Sequence, residues 1–157
     1  MKHYFKTINT PVGNLTLVAD ADSLVGLVWN ETELDRFPDR EPKNSHVILK
    51  MAERQLKEYF NGKRTTFDLP YKFEGTDFQK RVWKALTRIP YGKKRSYAQL
   101  AKKIGKPKGF RAVGAANGRN PISIIVPCHR VIGSNGSLTG FGGGLGVKKF
   151  LLDLEAS

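Results

Sequence analysis

Residues 76–117 read TDFQKRVWKALTRIPYGKKRSYAQLAKKIGKPKGFRAVGAAN, and this stretch decides the fold of the C-terminal half. Thr76 is placed to cap a helix while Gln79 reaches back to it. Phe78, Val82, Ala85, Leu86 and Ile89 then form an apolar stripe at helical spacing. Pro90-Tyr91-Gly92 ends that helix. Ser96 caps a second, short helix through Ala98, Leu100, Ala101 and Ile104, closed by Gly105. Pro107 begins a turn, and Phe110–Asn117 forms a third helix containing Ala112, Val113, Ala115 and Ala116. Two short helices joined by a glycine-containing turn have the form of a helix-turn-helix, and equally of an ordinary helical hairpin.

Charge bears on that choice. The 157-residue chain carries 27 Lys and Arg against 14 Asp and Glu, a formal net charge of +13. Between Phe78 and Leu152 there are 16 basic residues and no acidic one. All the carboxylates lie outside that tract, so its cations lack local partners. A basic surface can serve solubility alone, but a tract this long without a carboxylate favours an external polyanion, nucleic acid before membrane. The basic residues do not form one amphipathic helix, which argues against a membrane surface.

Residues 1–70 read as a separate α/β unit and 71–157 as the second domain, with Pro70–Gly75 between them. Tyr4–Ile8, Leu15–Ala19 and Leu24–Trp29 are short, apolar and separated by turn residues, so a small antiparallel sheet is expected. Asp35–Lys43, charged and holding two prolines, is expected to be a loop. From Ser45 onward, Val47, Ile48, Met51, Leu56, Tyr59 and Phe60 follow a helical period that ends at Asn61-Gly62. Another strand is expected through Thr65–Leu69. No apolar run approaches the roughly 20 residues of a membrane span, and the N-terminus lacks a secretory pattern. One cysteine and three scattered histidines offer neither an internal disulfide nor a zinc spacing. A cytoplasmic, metal-free protein is expected.

The densest signal follows the third helix. Ile122–Val126 reads as a strand-like apolar run and leads directly into Pro127-Cys128-His129-Arg130-Val131. Glycines then recur at 133, 136, 140, 142, 143, 144 and 146, a pattern suited to a binding loop lining a pocket. A phosphate loop is excluded, because GGGLG lacks the required spacing and the Lys-Ser/Thr ending. Cys128 reads either as a small core residue or as a nucleophile that neighbouring cations hold as thiolate. On an extended strand, His129 would point away from Cys128. Asp153 and Glu155 are the first carboxylates after the basic tract. Either could orient the imidazole or sit on a solvated C-terminal helix, Val147–Leu154.

Pro127-Cys128-His129-Arg130-Val131, with Arg111-Ala112-Val113-Gly114 and Asn120-Pro121 before it and Gly143-Gly144-Leu145 and Lys148 after it, resembles the O6-alkylguanine-DNA alkyltransferases, or methylated-DNA–protein-cysteine methyltransferases. The likeness covers Gly75–Glu155, and the N-terminal half resembles that family's more variable partner domain. It implies an α/β protein: a small ribonuclease-H-like N-terminal α/β domain packed on a C-terminal winged helix-turn-helix-like domain. It also implies irreversible, single-turnover transfer of an alkyl group from O6-alkylguanine in DNA to a cysteine after base flipping. O4-alkylthymine is a further possible substrate. The partner implied is double-stranded DNA bound by a monomer, with no cofactor, no metal and no membrane.

Residue by residue, Cys128 matches the alkyl acceptor, and His129 and Glu155 match the hydrogen-bond chain that, through a water, deprotonates it. Asn120 matches the brace of the active-site turn, and Tyr97 the donor to the purine. Arg111 matches the residue inserted where the flipped nucleotide was. The resemblance places Ala112, Ala115, Ala116, Asn117, Gly118, Ser96 and Arg95 along the DNA-binding surface. Val131, Ser134, Gly140, Phe141 and Gly142 fall on the pocket wall. Phe141 replaces a tyrosine of the family, Gly142 stands where some members carry serine, and Asn117 occupies a variable position. These departures bear on pocket selectivity rather than on the reaction.

Overall fold

The computed structural model describes all residues, 1–157, as two compact units, Met1–Phe73 and Glu74–Ser157. In the first unit, β1 (His3–Thr10), β2 (Gly13–Ala19) and β3 (Leu24–Val28) form the expected antiparallel meander. The β1–β2 hairpin closes through Pro11-Val12, and Gly13 takes φ +100°, a conformation that suits glycine. Thr10 locks the turn, donating from Oγ1 to the Gly13 carbonyl at 2.6 Å.

Two features differ from expectation. The segment predicted as a loop, Asp35–Lys43, starts within the end of a 3-10 helix, Glu31–Arg36, and contains a short strand, β4 (Arg40–Pro42), paired parallel to β1. Pro42 is tolerated because β4 is an edge strand, completing the order β3-β2-β1-β4. Thr65–Leu69 forms no strand. Its backbone is instead fixed by Gln55, whose side chain donates to the Asp68 carbonyl at 2.7 Å and accepts from the Asp68 amide at 2.8 Å.

Alternation along β1 and β2 builds the core. Phe5 and Val18 share one face, covered with Val25 and Val28 by Phe37 and Leu34. Tyr4 points to the other face, where it meets His46 at the start of α1 (Val47–Phe60). Ile48, Leu49, Ala52, Leu56 and Tyr59 are the buried stripe of α1. Val47 begins the helix but stays exposed, because His46 turns inward and caps it, Nδ1 accepting from the Ile48 amide.

The second unit carries α2 (Asp77–Leu86), α3 (Tyr97–Lys103), α4 (Phe110–Gly118) and α5 (Leu145–Ala156). Both α2 and α3 open with complete capping boxes, Thr76 with Gln79 and Ser96 with Gln99. Each cap is worth about 1 kcal/mol. Helix α2 buries Val82, Trp83, Ala85 and Leu86, and Trp83 Nε1 donates to the Ala116 carbonyl at 2.8 Å, tying α2 to α4. Helices α3 and α4 are joined by the turn through Gly105 and Pro107. A two-stranded parallel pair, β5 (Arg95–Ser96) and β6 (Val131–Ile132), links the start of α3 to the segment after Cys128.

The run Ile122–Val126 is not a strand. It is a pair of tight turns, with the Ile125 amide bonded to Ser123 O and the Val126 amide to Ile122 O, both at 2.9 Å. Ile124 sits at φ +75°, the only non-glycine residue with positive φ. A β-branched residue held there stores roughly 1–3 kcal/mol of strain. Every residue of the run is buried, so its apolar character reflects burial on all sides rather than strand pairing.

Candidate active site around Cys128

Pro127 sets the approach to the thiol. With φ −82° and ψ 66° it is the centre of an inverse γ-turn, closed by the Cys128 amide on Val126 O at 2.8 Å. Asn120 pins the same carbonyl from the side, Nδ2 donating at 2.7 Å while Oδ1 accepts from the Ile122 amide at 3.0 Å. Cys128–Arg130 then forms one turn of 3-10 helix. The extended geometry expected for Cys128 and His129 is therefore replaced by a turn.

Cys128 is only 4% exposed, and Sγ donates to Ser123 Oγ at 3.9 Å. Burial pushes the thiol above its ordinary range, and Asn120, Ser123 and the charge of Lys148 pull it back down. Of the two readings the sequence left open, burial favours the thiol over the thiolate in the resting protein.

His129 and Arg130 converge on Glu155. This buried carboxylate accepts from His129 Nε2 at 2.6 Å, from Arg130 Nε at 2.8 Å and Nη2 at 3.1 Å, and from the Gly92 amide at 3.2 Å. Arg130 also donates from Nη1 to the Ile89 carbonyl at 2.7 Å and stacks over Tyr91. Of the two carboxylates left open by the sequence, Glu155 meets the imidazole, whereas Asp153 is exposed and pairs with Lys149. His129 is fully buried, and burial holds its pKa below the usual value against the pull of Glu155. With Nε2 donating to the carboxylate, the neutral ring presents Nδ1 as an acceptor. Nδ1 is buried and has no partner within the protein.

Tyr97, first residue of α3, donates from its hydroxyl to the Thr139 carbonyl at 3.2 Å and accepts from Thr139 Oγ1 at 3.2 Å. That ties the glycine-rich segment to α3. On that segment, Ser134, Gly140 and Gly142 are exposed and Phe141 is half-buried, while Val131 is buried within β6.

Arg111, Ala112, Ala115 and Gly118 form the exposed face of α4, and Arg95 is exposed at β5. Ser96 is half-buried, with its hydroxyl committed to the α3 cap. Ala116 and Asn117 correct the expectation. Both turn inward with Val113, since positions 113, 116 and 117 are the buried stripe of the helix. Asn117 Nδ2 donates to the Cys128 carbonyl at 3.3 Å, so this residue supports the active-site turn instead of facing a groove.

Sequence reasoning gave Ser123 no role, and it named Arg130 and Lys148 within the motif without the contacts they make. Only α5 offered a signal for one of them. Lys148, Leu151 and Glu155 share a helix face at heptad spacing, and all three are buried. A lysine and a glutamate on an apolar stripe mark a polar site in a core.

Comparison with known proteins follows the same two-part division. Residues 3–73 match the ribonuclease-like domain of 6-O-methylguanine DNA methyltransferase, and residues 77–157 match its DNA-binding domain. A methylated-DNA–protein-cysteine methyltransferase of Methanosarcina acetivorans is 48% identical over 156 residues, 98% of this chain and 99% of the relative. Among solved structures, an O6-methylguanine methyltransferase from Mycobacterium tuberculosis superposes with a TM-score of 0.88 at 47% identity, covering 98% of this chain and 93% of that one. A Mycobacterium tuberculosis OGT structure in complex with DNA gives the same score and identity, with 98% and 92% coverage. No helix of the chain is long and apolar enough to cross a membrane, and no group of three His, Cys, Asp or Glu is placed to hold a metal.

Proposed function

The chain belongs to the 6-O-methylguanine DNA methyltransferase family, and on that premise we propose that it repairs DNA by transferring the alkyl group of O6-alkylguanine to Cys128. The observation that carries this reading is the placement of the only thiol beside a buried His129–Glu155 pair, on a turn braced by Asn120.

Displacement at an alkyl carbon calls for a soft anionic nucleophile. Burial favours the protonated thiol, so its proton must leave during the reaction. His129 Nδ1 is the acceptor, reached through a water, and the imidazolium that forms is held by Glu155. The sulfur then bonds to the alkyl carbon as the carbon–oxygen bond breaks, and the electron pair passes to the guanine. Tyr97, released from Thr139, donates toward the purine and assists its protonation. The product is a thioether at Cys128 and an unmodified guanine.

The target carbon is unreachable within a stacked duplex, so the nucleotide is flipped, at a cost of a few kcal/mol. Phosphate contacts from the basic tract offset that cost, and Arg111 fills the gap from the exposed face of α4. The small residues Ala112, Ala115 and Gly118 allow close approach to a groove, and Arg95 on β5 adds an exposed cation. Val131, Ser134, Gly140, Phe141 and Gly142 line the base pocket. The protein acts as a cytoplasmic monomer and uses no cofactor.

The test is mass analysis of the Cys128-containing peptide after incubation with duplex carrying O6-methylguanine. One methyl mass on that peptide, absent from Cys128→Ser, is the expected result. An unmodified peptide with intact lesion would overturn the proposal.

A further inference from the structure

Phe110 opens α4 with an apolar ring left in water. It is 47% exposed, whereas Val113, Ala116 and Asn117 of the same helix are buried. An aromatic ring gains by leaving water, and this fold leaves that gain unused. Its surroundings are cationic. Lys106, Lys108 and Arg111 are all exposed, and the first turn of α4 holds no acidic residue. A single exposed apolar side chain is ordinary on a protein surface. This one stands among three cations, next to Arg111, inside the segment that matches the family's DNA-binding domain.

The backbone fixes where the ring stands. The Gly109 amide bonds Lys106 O at 2.8 Å and the Val113 amide bonds Gly109 O at 2.9 Å, so a closed turn runs straight into the helix. Residues 110 and 114 lie one turn apart on one face of α4. A Cβ on Gly114 would lie 3.7 Å from Cδ1 of Tyr97, so that face looks toward Tyr97. Phe110 therefore stands on the Tyr97 side of the first turn, with Arg111 beside it on the exposed face.

The proposed repair places the extruded nucleotide between these two residues, Arg111 filling the gap and Tyr97 meeting the purine. Extrusion uncovers the faces of the bases on either side of that gap. We infer that Phe110 is a second DNA contact there, an apolar wedge whose ring stacks on one of the uncovered bases. Base–aromatic stacking returns part of the stacking lost on extrusion, which a cation aimed at phosphate cannot do. The inference rests on the proposed alkyl transfer for the position of the gap, but the contact itself belongs to DNA binding.

The test is binding to O6-methylguanine duplex as a function of salt, in a Cys128→Ser background that leaves the lesion in place. Contacts to phosphate set the slope of log affinity against log salt, and an uncharged ring does not. Phe110→Ala should weaken binding about tenfold with the slope and the Tm unchanged, and Phe110→Trp should restore the affinity. A 2-aminopurine beside the lesion should be brighter in complex with Phe110→Ala than with Phe110 present, because its face is then open to water. Equal affinity and equal brightness would overturn the proposal. A flattened salt slope would mean that the ring only holds the neighbouring cations in place, and a lowered Tm would make it structural; either result would overturn it too. A wild-type chain that transfers no alkyl group while these binding differences persist would count against the proposed function and leave the wedge standing.

Discussion

Glu155→Gln tests the buried cluster beneath the thiol more sharply than any other single change. Four hydrogen bonds converge on this carboxylate, three of them from His129 and Arg130, and it is 5% exposed. Glutamine keeps one oxygen, but its amide group must face a donor from the imidazole or the guanidinium. It also leaves the Arg130 charge buried without its partner. Breaking a buried pair in this way costs about 3–5 kcal/mol, a large share of the roughly 5–15 kcal/mol that stabilises a typical domain. For a chain of this length the Tm should fall by about 10 °C. Urea unfolding measures the loss directly, and pre-steady-state transfer at a temperature where the variant is folded measures the chemistry. The double change Arg130→Met with Glu155→Leu removes both charges together and should recover most of the stability. Transfer should stay slow in it, because His129 still lacks its acceptor. A loss below about 1 kcal/mol in Glu155→Gln would refute the dry, fully committed carboxylate on which the relay depends.

Arg111→Ala should slow repair of duplex substrate far more than repair of the free alkylated base, since only the duplex must be unstacked; equal losses would make Arg111 structural. DNA affinity should fall steeply with salt, and reversing Lys102, Lys103 and Lys108 should flatten that slope more than reversing Lys50 and Lys57. An unchanged slope after the first set removes those lysines from the interface. The buried neutral His129 gives a pH signature in stability. Its folded pKa lies below the unfolded value of about 6.5, so the unfolded chain takes the proton first. Stability should therefore drop as pH falls below about 6.5, and the drop should be smaller in His129→Asn. An equal drop in that variant would show His129 already charged when folded.

Much of this architecture is written in local signals. The Thr76 and Ser96 caps, the α2 stripe and the β1–β3 alternation are short-range patterns, and all appear in the structure. The errors arise where distant residues decide the outcome. Ile122–Val126 carries strand-like residues, yet Asn120 and the turns around Ile124 bend it. Thr65–Leu69 is claimed by Gln55 from α1, and β4 forms only because β1 offers a free edge. Within the site, the resemblance paired His129 with Glu155 and set Asn120 on the turn, but it gave neither the Arg130 bonds to Glu155 nor the Tyr97 bond to Thr139. It placed Ala116 and Asn117 on a surface that helical periodicity assigns to the core. The commitment of Arg130 to Glu155 is visible only once the chain is folded.

The central claim is that Cys128 accepts the alkyl group and keeps it. Expelling a thiolate from an sp³ carbon would need a stronger nucleophile than any side chain here, and there is no second cysteine to recapture the group. The direct measurement is the number of alkyl groups transferred per chain with O6-methylguanine duplex in large excess, followed until the reaction stops. The account predicts a plateau at one group per chain, all of it on the Cys128 peptide, reached more slowly but at the same level in Tyr97→Phe. Continued turnover beyond one, or alkyl mass on any other residue, would contradict it.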